Sequence, residues 1–173
     1  MEGLNEVVES GKASYVGVCN FPAYLLAASN EIAVRNGFAR LRCNQVAYNL
    51  IERGVEIEIL PQAMLEKIAI MAYRPLSMGV LTGKFRLGQA MDINARGTTD
   101  SRVITWFSQY GDKLERFIRY ADQLNVPVAQ LALAWLNHNP AVTAPIVGSS
   151  SLEQLKNTLQ SVDVTISDDQ YDD

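Results

Sequence analysis

Polar side chains recur where short apolar runs end. Cys19-Asn20 closes one run. Asn44 and Gln45 lie within a second, which leads into Tyr48-Asn49. Tyr73-Arg74-Pro75-Leu76 closes a third and continues into Ser77-Met78-Gly79, and Gly148-Ser149-Ser150-Ser151 closes a fourth. All four ends carry side chains able to hydrogen-bond or stack, as one shared site requires. A strand followed by Gly148, three serines and a helix start presents free N–H groups and a positive dipole end, which suits an anion. Capping of that helix by Ser151 alone needs no ligand.

These residues must be positioned by the elements around them. Tyr15–Cys19, Arg42–Tyr48, Ile68–Tyr73 and Val142–Val147 read as strands. Each mixes β-branched or aromatic residues without a long polar face, as parallel strands buried on both sides do. Helices are expected over Pro22–Asn36, Glu56–Lys67, Lys113–Leu124, Val128–Asn137 and Leu152–Leu159, with Pro61 weakening the start of the second. Ser151 and Gln154 have capping-box spacing, as do Ser167 and Gln170. Leu87–Ser101, rich in Gly, Asn, Thr and Asp, reads as a long surface loop. Strands alternating with helices predict an α/β fold with a parallel sheet. Four βα units fit a small open sheet or half of an eight-stranded barrel. In either, ligands bind at the carboxyl ends of the strands.

Several chemistries find little material. Gly79-Val80-Leu81-Thr82-Gly83-Lys84 is one residue short of a phosphate loop, and Phe85 stands where Ser or Thr would hold magnesium. No G-x-G-x-x-G follows a strand. One histidine, His138, and two cysteines, Cys19 and Cys43, leave almost nothing for a His/Cys metal cluster, so no metal is expected. His138 sits at a helix C-terminus, away from the strands' carboxyl ends, where a dipole role is expected. With 15 basic and 19 acidic residues the formal charge is −4, which argues against nucleic acid and against a polybasic membrane anchor. No apolar run reaches the roughly 18–20 residues of a bilayer span. The start, MEGLNEVVES, does not read as a secretory signal, and the cytoplasm is the expected location.

Five strings occur in order: GKASYVGVCNF, CNQVAYNL, AYRPLSMGVLTGKF, VAQLALAWL and APIVGSSSLEQL. Together they resemble the later half of the aldo-keto reductases, NADPH-dependent enzymes on a (β/α) barrel. The resemblance implies a single partial domain over residues 1–173, of the TIM-barrel type, carrying the fifth to eighth strands. It also implies the cofactor NADP(H) and a small-molecule carbonyl substrate. Asn20 and Gln45 match the positions that hydrogen-bond the nicotinamide carboxamide. Cys19 stands where the family usually has Ser. Tyr73 matches the residue that stacks on the nicotinamide ring. Arg74, Leu76, Met78, Gly79 and Leu81 lie in the segment resembling the pyrophosphate cover, and Lys84 joins it. Gly148, Ser149 and Ser150 resemble the turn that holds the adenosine 2′-phosphate, with Gln154 at a nearby contact position. Asn157 and Thr158 stand where the family often has Glu-Asn, a departure that bears on the choice between NADP and NAD.

The family's catalytic Asp, Tyr, Lys and His belong to earlier strands, and no residue here matches them, so no catalytic residue is assigned. A complete barrel takes about 250 residues. Both ends read as cut. Leu4, Val7 and Val8 share a helical face closed by Ser10-Gly11-Lys12, and the last capping box opens a helix only a few residues before Asp173. The expectation is a cofactor-binding half, inactive alone, with unpaired edges at Tyr15–Cys19 and Val142–Val147 through which copies could associate. A non-catalytic NADP-binding module is the alternative.

Overall fold

The computed structural model describes residues 1–89 and 98–172. In chain order the elements are α1 (Glu2–Glu9), β1 (Val16–Cys19), α2 (Ala23–Asn36), β2 (Leu41–Ala47), α3 (Ile59–Glu66), β3 (Ala69–Tyr73), α4 (Ser101–Gln123), α5 (Val128–His138), β4 (Ala144–Ile146), α6 (Leu152–Leu159) and α7 (Asp168–Asp172). Short 3-10 segments cover Gly54–Glu56, Ser77–Thr82 and Gln160–Asp163.

The sheet is parallel, and its strand order, β1-β2-β3-β4, is the chain order. A sheet wound in one direction with right-handed crossovers carries its helices on one face only. Burial agrees. In β3, Ile70 and Ala72 are buried and join a core with Leu26, Leu60, Leu131 and Trp135, whereas Ala69, Met71 and Tyr73 are half-buried. A doubly wound open sheet would cover both faces, so the open-sheet alternative gives way to the partial barrel. β1 and β4 are the edges of the sheet.

Local chemistry accounts for most element ends. Pro22 precedes α2, and Gly37 ends it in the left-handed region at φ +69°, with the Phe38 N–H donating to the Ala33 carbonyl at 2.8 Å. Asn30, buried in α2, clamps the Leu41 backbone, accepting from its N–H at 2.8 Å and donating to its carbonyl at 3.3 Å. That contact docks the helix against the first residue of β2. Ser167 and Gln170 form a reciprocal capping box at the start of α7: the Ser167 N–H donates to Gln170 Oε1 at 2.8 Å, and the Gln170 N–H donates to Ser167 Oγ at 3.3 Å.

Four expectations change. The helix expected over Glu56–Lys67 begins at Ile59 after a separate 3-10 turn, with Pro61 in its first turn, where a missing N–H costs no hydrogen bond. The helix expected over Lys113–Leu124 begins twelve residues earlier, at Ser101, capped by Asp100, whose carboxylate accepts from the Arg102 N–H at 3.0 Å. The helix runs on through Gly111, against which Leu87 rests; a Cβ there would come within 2.7 Å of Leu87 Cδ2. Of the expected loop Leu87–Ser101, residues 90–97 lie outside the described residues and Ser101 is already helical. In α1, Leu4 and Val7 stay 36% and 37% exposed; the buried residue is Asn5, whose Oδ1 accepts from the Ala39 N–H at 2.8 Å. A short helix turned to place one amide thus overrides its apolar pattern.

Candidate cofactor site at the strand ends

Register brings the site residues together. Cys19 is level with Gln45, and Ala47 is level with Tyr73, which is level with Ile146. Cys19, Gln45 and Tyr73 share the face opposite the helices, by strand alternation. Asn20, one residue past β1, takes a left-handed conformation at φ +57°, and its N–H donates to the Gln45 carbonyl at 2.8 Å. Asparagine tolerates this region better than most residues. The turn places the Asn20 amide at the end of the sheet, where Tyr73 Oη donates to Asn20 Oδ1 at 3.1 Å. Asn20 Nδ2 approaches Cys19 Sγ at 3.3 Å, and Cys19 Sγ points at Gln45 Oε1 from 3.9 Å. Four side chains from three strand ends thus form one chain of polar contacts. Its weakest link is the thiol, a poor donor.

Asn44 is not part of this row. It is buried on the helix side and locks the β1–α2 turn, donating to the Phe21 carbonyl at 2.8 Å and accepting from the Phe21 N–H at 3.3 Å. Tyr48 is buried as well, with its hydroxyl between Glu56 Oε1 at 2.7 Å and Tyr171 Oη at 3.3 Å. Burial, followed by the hydrogen bonds to Tyr171 and Glu56, pushes its hydroxyl well above the ordinary tyrosine range.

The turn after β3 is the most constrained part of the site. Arg74, Ser77, Met78 and Gly79 all have positive φ, at +55°, +46°, +57° and +99°. For the three that are not glycine this is costly backbone, of a kind that clusters at functional sites. The Arg74 guanidinium lies 5.0 Å from the Tyr73 ring centroid and 5.9 Å from that of Trp106 in α4. Arg74 Nη2 pairs with Glu52 Oε1 at 3.1 Å, while Arg74 Nε and the fully buried Ser77 Oγ have no hydrogen-bond partner among the described residues. Leu81 packs into a second core with Val80, Phe85, Val103, Leu114 and Ala132, so its side chain serves the fold. Leu76 and Met78 are half-buried against that core. Lys84 folds back over Gly79, where a Cβ would stand 2.5 Å from Lys84 Nζ.

At the fourth strand end, Gly148, Ser149 and Ser150 are exposed. Gln154 Oε1 accepts from both the N–H and the hydroxyl of Ser150 at 2.9 Å, and the Gln154 N–H donates to Ser151 Oγ at 3.2 Å. The box expected from Ser151 and Gln154 therefore closes one residue early.

Glu52 and the tie to it from Asn49, which the sequence placed only as a polar residue at the second strand end, went unread, as did Trp106. Asn49 Oδ1 accepts from the N–H groups of Ile51 and Glu52, and its Nδ2 donates to Glu52 Oε2 at 3.0 Å and to the Arg74 carbonyl at 3.1 Å. An Asn three residues before a Glu, just past a strand, was the available signal for the first two. Trp106 gave none. Among the described residues no cluster of three or more metal-ligating side chains occurs. A cleft of about 860 Å³ lies elsewhere, between α4, α5 and α7, with Arg53, Lys113, Arg116 and Arg119 on its walls. Of the candidate residues only Leu81 touches it. The strand ends, where the polar groups converge, are the better site.

Fold and site define a class: a parallel α/β half-barrel with polar groups gathered at the carboxyl ends of its strands. The chain belongs to the aldo/keto reductase family, whose model matches residues 1–173. It is 34% identical over 165 residues to uncharacterized oxidoreductase YrpG of Bacillus subtilis, covering 95% of this chain and 49% of that protein. It is 30% identical to versiconal hemiacetal acetate reductase of Aspergillus parasiticus, covering 96% and 48%. To protein tas of Escherichia coli it is 28% identical, covering 98% and 49%. The chain thus spans about half the length of these curated relatives.

Proposed function

We propose that this chain is the cofactor-holding half of an NADP(H)-dependent carbonyl reductase. The observation that carries the reading is the contact chain Tyr73–Asn20–Cys19–Gln45, drawn from three strand ends by register. The residues fit a nicotinamide dinucleotide. Asn20 and Gln45 offer amide groups to a carboxamide. Tyr73 offers a ring for stacking, on the face that Arg74 leaves free. Ser77 Oγ and Arg74 Nε, without partners among the described residues, lie in the strained turn that would take the diphosphate. Gly148, Ser149 and Ser150, with Gln154 behind them, would take the adenosine 2′-phosphate.

When bound, the reduced nicotinamide supplies a hydride to a carbonyl carbon. This chain's own residues bind and orient. The Tyr73 hydroxyl is held by Asn20, which fixes the ring against which the nicotinamide lies. Gln45 Oε1, engaged among the described residues only by a thiol at 3.9 Å, is available to a ligand N–H. Proton delivery to the developing alkoxide is assigned to no residue of this chain, and we expect it to oxidise no NADPH with an aldehyde by itself. One relative's name specifies a hemiacetal acetate as its substrate, and an aldehyde or a masked aldehyde is the substrate class we propose for the whole enzyme. A reducing compartment such as the cytoplasm suits the two free cysteines.

Calorimetric titration with NADPH tests the reading. Saturable binding near one per chain, weakened about tenfold or more by Tyr73→Ala, is expected from the loss of base–aromatic stacking. Absence of binding would overturn it.

A further inference from the structure

The Arg74–Glu52 pair lies beside the stacking ring of the candidate site. Both side chains are mostly covered, 22% and 26% exposed, and both are pinned. Asn49 holds the Glu52 carboxylate with one N–H and the Arg74 carbonyl with the other, which also braces the left-handed backbone of Arg74. The guanidinium rests between the rings of Tyr73 and Trp106, with Nε buried and without a hydrogen-bond partner among the described residues. Among the described residues, Asp100 and Arg102 also lie near the pair, and they are paired with each other through two contacts of 3.0 and 2.8 Å. Glu52 is therefore the counterion of a guanidinium set at the edge of the stacking ring.

We propose that Glu52 is a displaceable counterion: Arg74 gives up its contact with this carboxylate to take a diphosphate oxygen of the dinucleotide, so that Glu52 sets the affinity of the site. The inference rests on the cofactor reading above and adds a regulating residue to it. A guanidinium binds carboxylate and phosphate oxygens with the same fork, so the two compete for it directly. Asn49 keeps its hold on Glu52 during the exchange, which leaves the released carboxylate solvated and near, ready to recapture Arg74 when the ligand leaves. Glu52 is a positioning residue, acting through Arg74.

Glu52→Gln removes the charge while Gln Oε1 still accepts from Asn49. Dissociation constants for NADPH and for NADH, measured with the wild-type chain, Glu52→Gln, Arg74→Gln and the double variant, test the exchange. Circular dichroism checks the fold of each. The expected result is that Glu52→Gln tightens both dinucleotides by about fivefold, the range of a partly exposed ion pair. Arg74→Gln weakens both, and Glu52→Gln adds nothing in the Arg74→Gln background. A merely structural role for Glu52 predicts weaker binding or none of this dependence on Arg74. If the Gln variant does not fold, Glu52→Ala carries the same expectation. Unchanged or weaker binding in a folded Glu52 variant, with Tyr73→Ala still reducing wild-type affinity, overturns the exchange and leaves the cofactor reading standing. Tightening for NADPH alone overturns it too, because the charge would then be read at the 2′-phosphate. If no form binds either dinucleotide, the cofactor reading fails and the exchange falls with it.

Discussion

Cys19 is the weakest member of the contact chain at the strand ends. Its thiol reaches Gln45 Oε1 over 3.9 Å, while the neighbouring contacts are 3.3 and 3.1 Å. A hydroxyl is a better donor and has a smaller atom. Cys19→Ser should therefore orient Gln45 more firmly and tighten NADPH binding roughly two- to tenfold, the net worth of one improved hydrogen bond; unchanged or weaker binding in the titration would count against it. Asn20, Gln45 and Tyr73 were legible in the sequence because each follows or sits in an apolar run, and because strand ends are where a parallel sheet binds ligands. Glu52 and Trp106 were not. Their roles depend on loops and a helix that meet Arg74 only in the folded chain.

At the scale of elements, the four strands and most helices followed from apolar runs punctuated by Pro, Gly and capping residues. The first half of α4 did not, because Gly111 and the β-branched residues near Ser101 speak against a helix until Leu87 is packed on Gly111. Asp100 caps that helix, and the Arg102 side chain, then its N–H, holds its carboxyl down to about 2. A carboxylate with a depressed pKa in the folded state lends stability above its ordinary value near 3.8 and loses it as pH falls towards about 2. Protection of the amides in the first turn of α4, taken relative to their intrinsic exchange rates, should fall over that window, and Asp100→Asn should abolish the fall; an unchanged protection profile would remove Asp100 from this role. β1 offers a second test. A Cβ at Gly17 would stand 2.2 Å from Cys43 Sγ and 2.7 Å from the Cys43 carbonyl oxygen. Backbone cannot yield as a flexible side chain does, so Gly17→Ala should lower stability by about 1–3 kcal/mol in urea unfolding. A change within error would show that β1 moves freely.

For the whole molecule, the sheet leaves β1 and β4 as its edges, and several residues on the face opposite the helices, Cys19, Ala144 and Ile146 among them, are exposed. Unpaired edges recruit strands. The isolated chain should therefore self-associate with rising concentration in sedimentation velocity, and a monomer over the accessible range would contradict this. The one-sided winding was legible only in part, because alternation of strands and helices suits an open sheet as well as a barrel. Strand order and burial together separate them. The central claim is that the strand ends bind the nicotinamide, rather than the large basic cleft between α4, α5 and α7. Side-chain amide resonances report this directly, since Asn20 and Gln45 lie at one place and Gln123 and Gln170 line the other. With NADPH added to the nitrogen-15-labelled chain, the Asn20 and Gln45 amide signals should move while those of Gln123 and Gln170 stay. Movement of the cleft amides with Asn20 and Gln45 unchanged would contradict it.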